Sequence, residues 1–296
     1  MDRRAFIAAA SGAAVCAASG LALPELAIAR QSPEQSDRTM RFGLVTYLWG
    51  HDWDLPTLLA NCQRAGVPGV ELRTTHAHGV EPSLSAAQRR DVRSRFAASP
   101  VTCVGLGSNE RFDHPDPAEL AKAIERVKEF VRLSHDIGAS GVKVKPNDLP
   151  PDVPREKTIE QIGRALNEVG RFAAEHDQQI RLEVHGQCAE LPIMRQIMDV
   201  ADHPRVAVCW NSNPQDLAGS GLRYNFNLVK DRFGDTCHVH ALDDGAYPYD
   251  QLLRLLARMN YRGWVLLEAS GEPEDRVAAL ARQRMLFDRM LLAARR

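Results

Sequence analysis

The stretch Arg181-Leu182-Glu183-Val184-His185-Gly186 reads as a strand, yet it sets Arg181, Glu183 and His185 on the face where a buried strand would carry Val or Leu. The pattern recurs along the chain. Glu71 and Arg73 alternate in Gly-Val-Glu-Leu-Arg, Lys143, Lys145 and Asn147 in Val-Lys-Val-Lys-Pro-Asn, and Asn211 and Asn213 in Trp-Asn-Ser-Asn. His238 and His240 alternate in His-Val-His-Ala-Leu-Asp-Asp, and Glu268 and Ser270 in Leu-Leu-Glu-Ala-Ser. Any one of these is innocent: a buried carboxylate more often pairs with Lys or Arg, and a lone His is more often a hydrogen-bonded core residue. Carboxylates, imidazoles and amides together at the ends of successive strands point elsewhere. Oxygen and imidazole donors without thiolates suit one divalent ion such as Mn2+, Co2+, Mg2+ or Zn2+, with positions left for water or sugar hydroxyls. Glu183 is then a ligand, and His185 a ligand, a partner of one, or a substrate contact.

The elements that must hold these residues alternate regularly. Strand-like runs at 41–49, 69–74, 101–108, 141–147, 180–186, 206–213, 236–243 and 264–270 are separated by stretches such as 117–139 and 158–177. Apolar residues recur at three and four in those stretches, as helices packed on a sheet require. Gly residues at 66, 138 and 263 stand just before the next strand and suit helix termination. Eight β-then-α units in about 250 residues predict a single closed (β/α)8 barrel, a TIM barrel. A doubly wound sheet is disfavoured because no Gly-x-Gly-x-x-Gly follows the first strand. In such a barrel the chemistry sits where strands end and loops begin.

The rest of the chain bounds the partners. Lys plus Arg number 37 and Asp plus Glu 38, so no basic stripe argues for nucleic acid. Residues 1–29 carry Arg3-Arg4, an Ala-rich apolar run and Ala27-Ile28-Ala29, the layout of a cleaved twin-arginine-type export signal. Pro24 and Glu25 interrupt the run before it reaches a membrane span, so no membrane association is expected after cleavage. Residues 30–40 read as a polar linker, residues 41–296 as the catalytic barrel, and the mature protein as exported and periplasmic. The cysteines beyond the leader (Cys62, Cys103, Cys188, Cys209 and Cys237) stand singly, without the spacing of a zinc ribbon or a disulfide framework. The oligomeric state is open, a homo-oligomer included.

Gly-Val-Glu-Leu-Arg, Leu-Glu-Val-His-Gly, His-Val-His-Ala-Leu-Asp-Asp and Leu-Leu-Glu-Ala-Ser resemble the matching segments of the xylose-isomerase-like TIM barrels, the superfamily of sugar isomerases, sugar epimerases and the related endonuclease IV. The resemblance covers essentially all of residues 41–290. It implies one divalent ion held by Glu183, Asn211, His240 and Glu268. Asn211 departs from the Asp usual there, which removes one negative charge and implies weaker metal binding. The family's His-x-Lys-Asp ending becomes His240-Ala241-Leu242-Asp243, losing the Lys. Near-neutral charge and the export signal argue against the DNA-repair branch.

Two carboxylates flanking a metal-bound sugar can shuttle a proton at the carbon next to a carbonyl. Return of the proton to the other face is epimerisation, return to the neighbouring carbon is isomerisation, and loss of a group from the next carbon is elimination. Glu183 and Glu268 are the expected bases, assisted by Lys145 or His185. Glu71, Arg73, Lys143, Asn147, Asn213, His238 and Asp243 are the expected carbohydrate contacts. Lys143 and Lys145 equally suit a buried ion network with Glu183 and Glu71. No Gly-rich phosphate cradle is present, which favours an unphosphorylated sugar or glycoside. The Trp-Asn-Ser-Asn sixth strand in an exported chain looks similar to enzymes that cleave 3-keto-glycosides by elimination. A sugar epimerase or isomerase is the alternative, and a catalytically silent sugar-binding protein a third.

Overall fold

The computed structural model describes residues 39–295. The expected export signal and nearly all of the expected linker therefore lie outside the described residues. Eight strands alternate with eight α-helices among them: β1 (Arg41–Val45), α1 (Leu55–Arg64), β2 (Gly69–Arg73), α2 (Ala86–Ala97), β3 (Thr102–Arg111), α3 (Pro117–Ile137), β4 (Gly141–Lys145) and α4 (Arg155–Glu175) form the first half. The second half comprises β5 (Gln179–Glu183), α5 (Leu191–Val200), β6 (Val206–Asn211), α6 (Leu222–Val229), β7 (Phe233–Val239), α7 (Tyr249–Arg258), β8 (Trp264–Leu267) and α8 (Arg276–Ala294). The strands are all parallel and close in sequence order, with β1 pairing β8 through Arg41 and Trp264 at one end and Leu44 and Leu267 at the other. This is the single (β/α)8 barrel expected. No helix among the described residues is long and apolar enough to cross a membrane.

Local chemistry explains the elements. Asp54, Asp116 and Asp275 each accept a backbone N–H in the first turn of their helices, and Ser85 with Gln88 forms a reciprocal cap on α2. Gly138 ends α3 in the left-handed region at φ 82°. The third expected stop differs: Asn260, not Gly263, takes the positive φ (56°). A Cβ on Gly263 would lie 2.2 Å from the Tyr261 hydroxyl, so close approach is the reason for that glycine.

Alternation along the strands divides the barrel into two regions. Outward residues such as Leu72, Val142, Val144, Leu182, Val208 and Leu267 are buried under the helices, each side chain stabilising the fold by roughly 1.5–3 kcal/mol. Inside the barrel, a small apolar cluster of Val45, Val104, Trp264 and Leu266 shares the space with Glu71, Lys143, Arg181, Glu183 and His238, all essentially inaccessible. The five cysteines among the described residues are free and buried.

Most strands are shorter than their sequence runs. Strand β5 stops at Glu183 and β6 at Asn211, so His185 and Asn213 stand on the loops just beyond. Strand β3 instead extends to Arg111, with a shift in its pairing to β4 between Gly107 and Arg111.

Candidate active site at the mouth of the barrel

Strand β5 places Glu183 at the C-terminal end of the barrel, where neighbours on three other strands meet it. Lys143 Nζ donates to Glu183 Oε2 at 2.7 Å with both side chains out of solvent. Asn211 Nδ2 donates to the other oxygen, Oε1, at 3.2 Å. His238 Nδ1 lies 3.3 Å from the same Oε1 and 3.5 Å from Glu268 Oε2, while its Nε2 lies 3.2 Å from Glu71 Oε1. That last contact is an ion-pair approach rather than an aligned hydrogen bond, since both Glu71 oxygens and His238 Nε2 lack a well-directed partner.

The electrostatics follow. Burial alone would raise the Glu183 carboxyl, but Lys143 and His238 outweigh it and hold Glu183 well below the usual carboxylate range. Burial would lower His238, and the adjoining Cys209, Glu71 and Glu183 instead raise it well above an ordinary imidazole. Burial likewise opposes the charge on Lys143, and Glu183, Glu268 and Glu71 together raise it. Lys145, half-buried and next to Lys143, is lowered to about 8, mainly by desolvation.

Above this layer opens a cavity of about 250 Å³, walled by Tyr47, Arg73, Lys145, Glu183, His185, Asn211, Asn213, His240, Glu268 and Ser270. The Arg73 guanidinium lies over the Tyr47 ring, 4.8 Å from its centroid, and donates to Asn109 Oδ1 at 3.1 Å. Asn213 Nδ2 donates to the Val184 carbonyl at 2.7 Å, which ties the loop after β6 to the end of β5.

The donor set can be tested against a divalent ion. One ligand atom from each of Glu183, His238 and Glu268 lies within 4.8 Å of the others. Oxygen and nitrogen ligands about 2.1 Å from a shared ion sit roughly 3.0–3.5 Å apart, close to the contacts His238 makes with both carboxylates. Behind His238 stands Glu71, the kind of carboxylate that orients a metal-bound imidazole. The buried Asn211 Oδ1 has no hydrogen-bond partner. These residues fit a divalent ion, which Glu183, His238 and Glu268 would hold with Asn211 Oδ1 as a further oxygen.

Known proteins can now be set beside this geometry. A family profile described as xylose isomerase-like TIM barrel matches residues 59–288. The chain belongs to that family. No curated protein sequence matches it. Among solved structures, a 3-keto-D-glucoside 4-epimerase from E. coli superposes with a TM-score of 0.70 at 14% identity, over 84% of this chain and 100% of that one. An L-ribulose 3-epimerase gives 0.73 at 14% identity, over 87% and 96%. A probable 3-DHS dehydratase from Bacillus anthracis gives 0.65 at 13% identity, over 84% and 99%. At these identities the likeness establishes the shared barrel.

The structure redistributes the residues singled out from the sequence. It brings Glu183, Glu268, Asn211, Lys145, His185, Arg73, Asn213 and His240 to one cavity. His238, expected at the sugar, lies deeper than His240 and joins Glu183 and Glu268 as the imidazole of the candidate ligand group. His240, expected on the ion, lines the cavity, its backbone N–H donating to the Tyr249 hydroxyl at 3.0 Å. Glu71 and Lys143, expected at the sugar, are sealed beneath the cavity, because inward positions on the middle of a strand face the barrel interior. Asn147 stands behind His185 rather than on the cavity wall. Asp243 lies apart from it: Leu242 turns into the core and Asp243 accepts from Gln283 Nε2 of α8 at 2.6 Å. Tyr47 and Asn109 were missed. Their signal was position alone, an aromatic just past β1 and an amide near the end of β3, with no charge to draw attention.

Proposed function

We propose that the protein is a divalent-metal-dependent enzyme that removes a proton next to a carbonyl of an unphosphorylated sugar or glycoside. Its preferred reaction is elimination of the aglycone from a 3-keto-glycoside. The observation that carries this reading is the unequal state of the two carboxylates. Glu183 has both oxygens engaged, by Lys143 on one side and by Asn211 and His238 on the other. Glu268 reaches the same cavity, and among the described residues only His238, at 3.5 Å, approaches its carboxylate. Glu183 is therefore the anchored group and Glu268 the proton acceptor.

In a 3-keto-glycoside the ketone acidifies the proton on carbon 2. Glu268 takes that proton, the electron pair forms the bond between carbons 1 and 2, and the aglycone leaves carbon 1 with its bonding electrons. Lys145, on the same wall and near neutrality at about 8, is suited to protonate the departing oxygen. Arg73 and Tyr47 offer a donor and a ring face for the sugar. A divalent ion held by Glu183, His238 and Glu268 would supply Lewis-acid polarisation of the ketone.

The epimerisation of a 3-keto-glucoside and the dehydration named for two structural neighbours support enolisation at this site. The epimerase neighbours favour the second reading, in which the proton returns to carbon from the other face. Metal-loaded protein is incubated with 3-keto-glycosides and keto-sugars in deuterated water. Aglycone release, with or without deuterium at carbon 2 of the recovered substrate, identifies the lyase. Exchange or inversion without release identifies the epimerase, and neither release nor exchange in any compound refutes enolisation. The periplasmic setting is part of the same proposal: intact mass from the native envelope should start near Arg30, and a retained leader contradicts it.

A further inference from the structure

His185 stands at the cavity with one ring nitrogen committed. Its Nδ1 lies 3.0 Å from Asn147 Oδ1, and Nε2 has no hydrogen-bond partner among the described residues. The Asn147 amide cannot turn over. Its Nδ2 donates to Asp148 Oδ2 at 2.8 Å, and a carboxylate only accepts, so the amide oxygen must be the atom that faces His185. An amide oxygen also only accepts, so Nδ1 must carry the proton. Asp148 is itself held, by Arg111 Nη1 at 2.9 Å and through its own N–H to Asp113 Oδ2 at 3.1 Å.

The backbone is built around this contact. Asn147 sits at φ 63°, a left-handed conformation that Asn adopts more readily than most residues. Its carbonyl accepts from Cys188 N–H at 3.1 Å, which locks the loop after β4 to the loop after β5. Gly186, the residue after His185, leaves room for that approach: a Cβ there would lie 2.4 Å from the Asn147 carbonyl oxygen. Strained backbone and a required glycine thus converge on one hydrogen bond at the cavity wall.

We infer that Asn147, oriented by Asp148, is a positioning residue that fixes the His185 proton on Nδ1, leaving Nε2 as a hydrogen-bond acceptor that demands a donor from the ligand. A sugar hydroxyl meets that demand; an ether or ester oxygen does not. The choice of a sugar rests on the enolisation reading, whereas the tautomer does not.

The test is therefore made on metal-free protein without any sugar, labelled with 15N-histidine and held at about pH 8, where an ordinary imidazole is neutral. Long-range proton–nitrogen spectra report which ring nitrogen is protonated, and a His185→Asn variant assigns the signals. The wild type should show a protonated Nδ1 and a bare Nε2. Asn147→Gly removes the amide while suiting the positive φ, so the fold is retained, and His185 should lose that fixed tautomer. A wild-type His185 protonated on Nε2, or a spectrum unchanged in Asn147→Gly, overturns the inference. Failure of the deuterium experiment would leave this result standing, so the two claims fail separately.

Discussion

Two residues of one strand, Arg181 and Glu183, place full charges inside the same barrel and meet opposite surroundings. Arg181 is enclosed near the N-terminal end. Its Nε donates to Gln179 Oε1 at 3.0 Å, Nη1 to the Val104 carbonyl at 3.2 Å, and Nη2 to Ser140 Oγ at 2.6 Å with Asp235 at 3.3 Å. Gly105 and Gly141 leave the space that the guanidinium fills. Glu183, one layer higher, belongs to a group in which Glu71, Asn211 and His238 keep buried atoms without well-directed partners, and a cavity opens above it. Burying polar atoms without partners costs stability, so a finished network marks architecture and an unfinished one marks a place for something to bind.

That contrast breaks first at Glu268. Glu268→Gln keeps the shape and one oxygen but removes the base, so carbon-bound deuterium exchange should fall roughly 10²–10⁴-fold. Thermal unfolding should barely move, because Glu268 stands at the cavity rather than in the sealed layer. Arg181→Ala should do the reverse. It leaves several buried acceptors and a void, and should cost about 3–5 kcal/mol in urea unfolding while any protein that stays folded keeps its turnover rate. Equal losses of stability and activity in both variants would erase the distinction between the layers.

Much of this division was legible in the sequence. Periodicity marks eight β-α units, and parity along each strand picks out the inward polar positions. Depth was not legible. His238 and His240 have the same parity, and only closure of the barrel shows which lies level with Glu183. Glu71 and Lys143 were indistinguishable from sugar contacts for the same reason. Asp243 was misplaced because the direction of a loop after a strand depends on packing, here of Leu242 into the core.

A smaller effect tests the loop that carries Asn213. Asp216 is fully buried and pushed up to about 7 by desolvation, accepting from the Tyr247 hydroxyl at 2.7 Å and from Asn213 N–H at 2.9 Å. Its pKa is raised on folding, so its favourable contribution is present below about pH 4 and is lost as pH rises through about 7. Relative to Asp216→Asn, the wild type should therefore gain stability as pH falls from neutrality towards 4, by up to about 4 kcal/mol. A pH-independent difference between the two would mean that Asp216 is not desolvated in solution.

The smallest expected change sharpens the ligand set. Asn211→Asp adds a carboxylate beside Glu183 Oε1 and should tighten Mn2+ binding about tenfold by calorimetry, near 1.4 kcal/mol. Unchanged or weaker binding would place residue 211 outside the ion's reach.

Where an ion settles decides whether the upper layer is a metal site. Crystals grown with Mn2+ and measured for anomalous scattering should show one strong peak among Glu183 Oε1, His238 Nδ1 and Glu268 Oε2, with none at the enclosed Arg181 layer. A peak elsewhere, or a saturating Mn2+ concentration that leaves this group empty, would contradict the claim that the unfinished upper layer is a metal site.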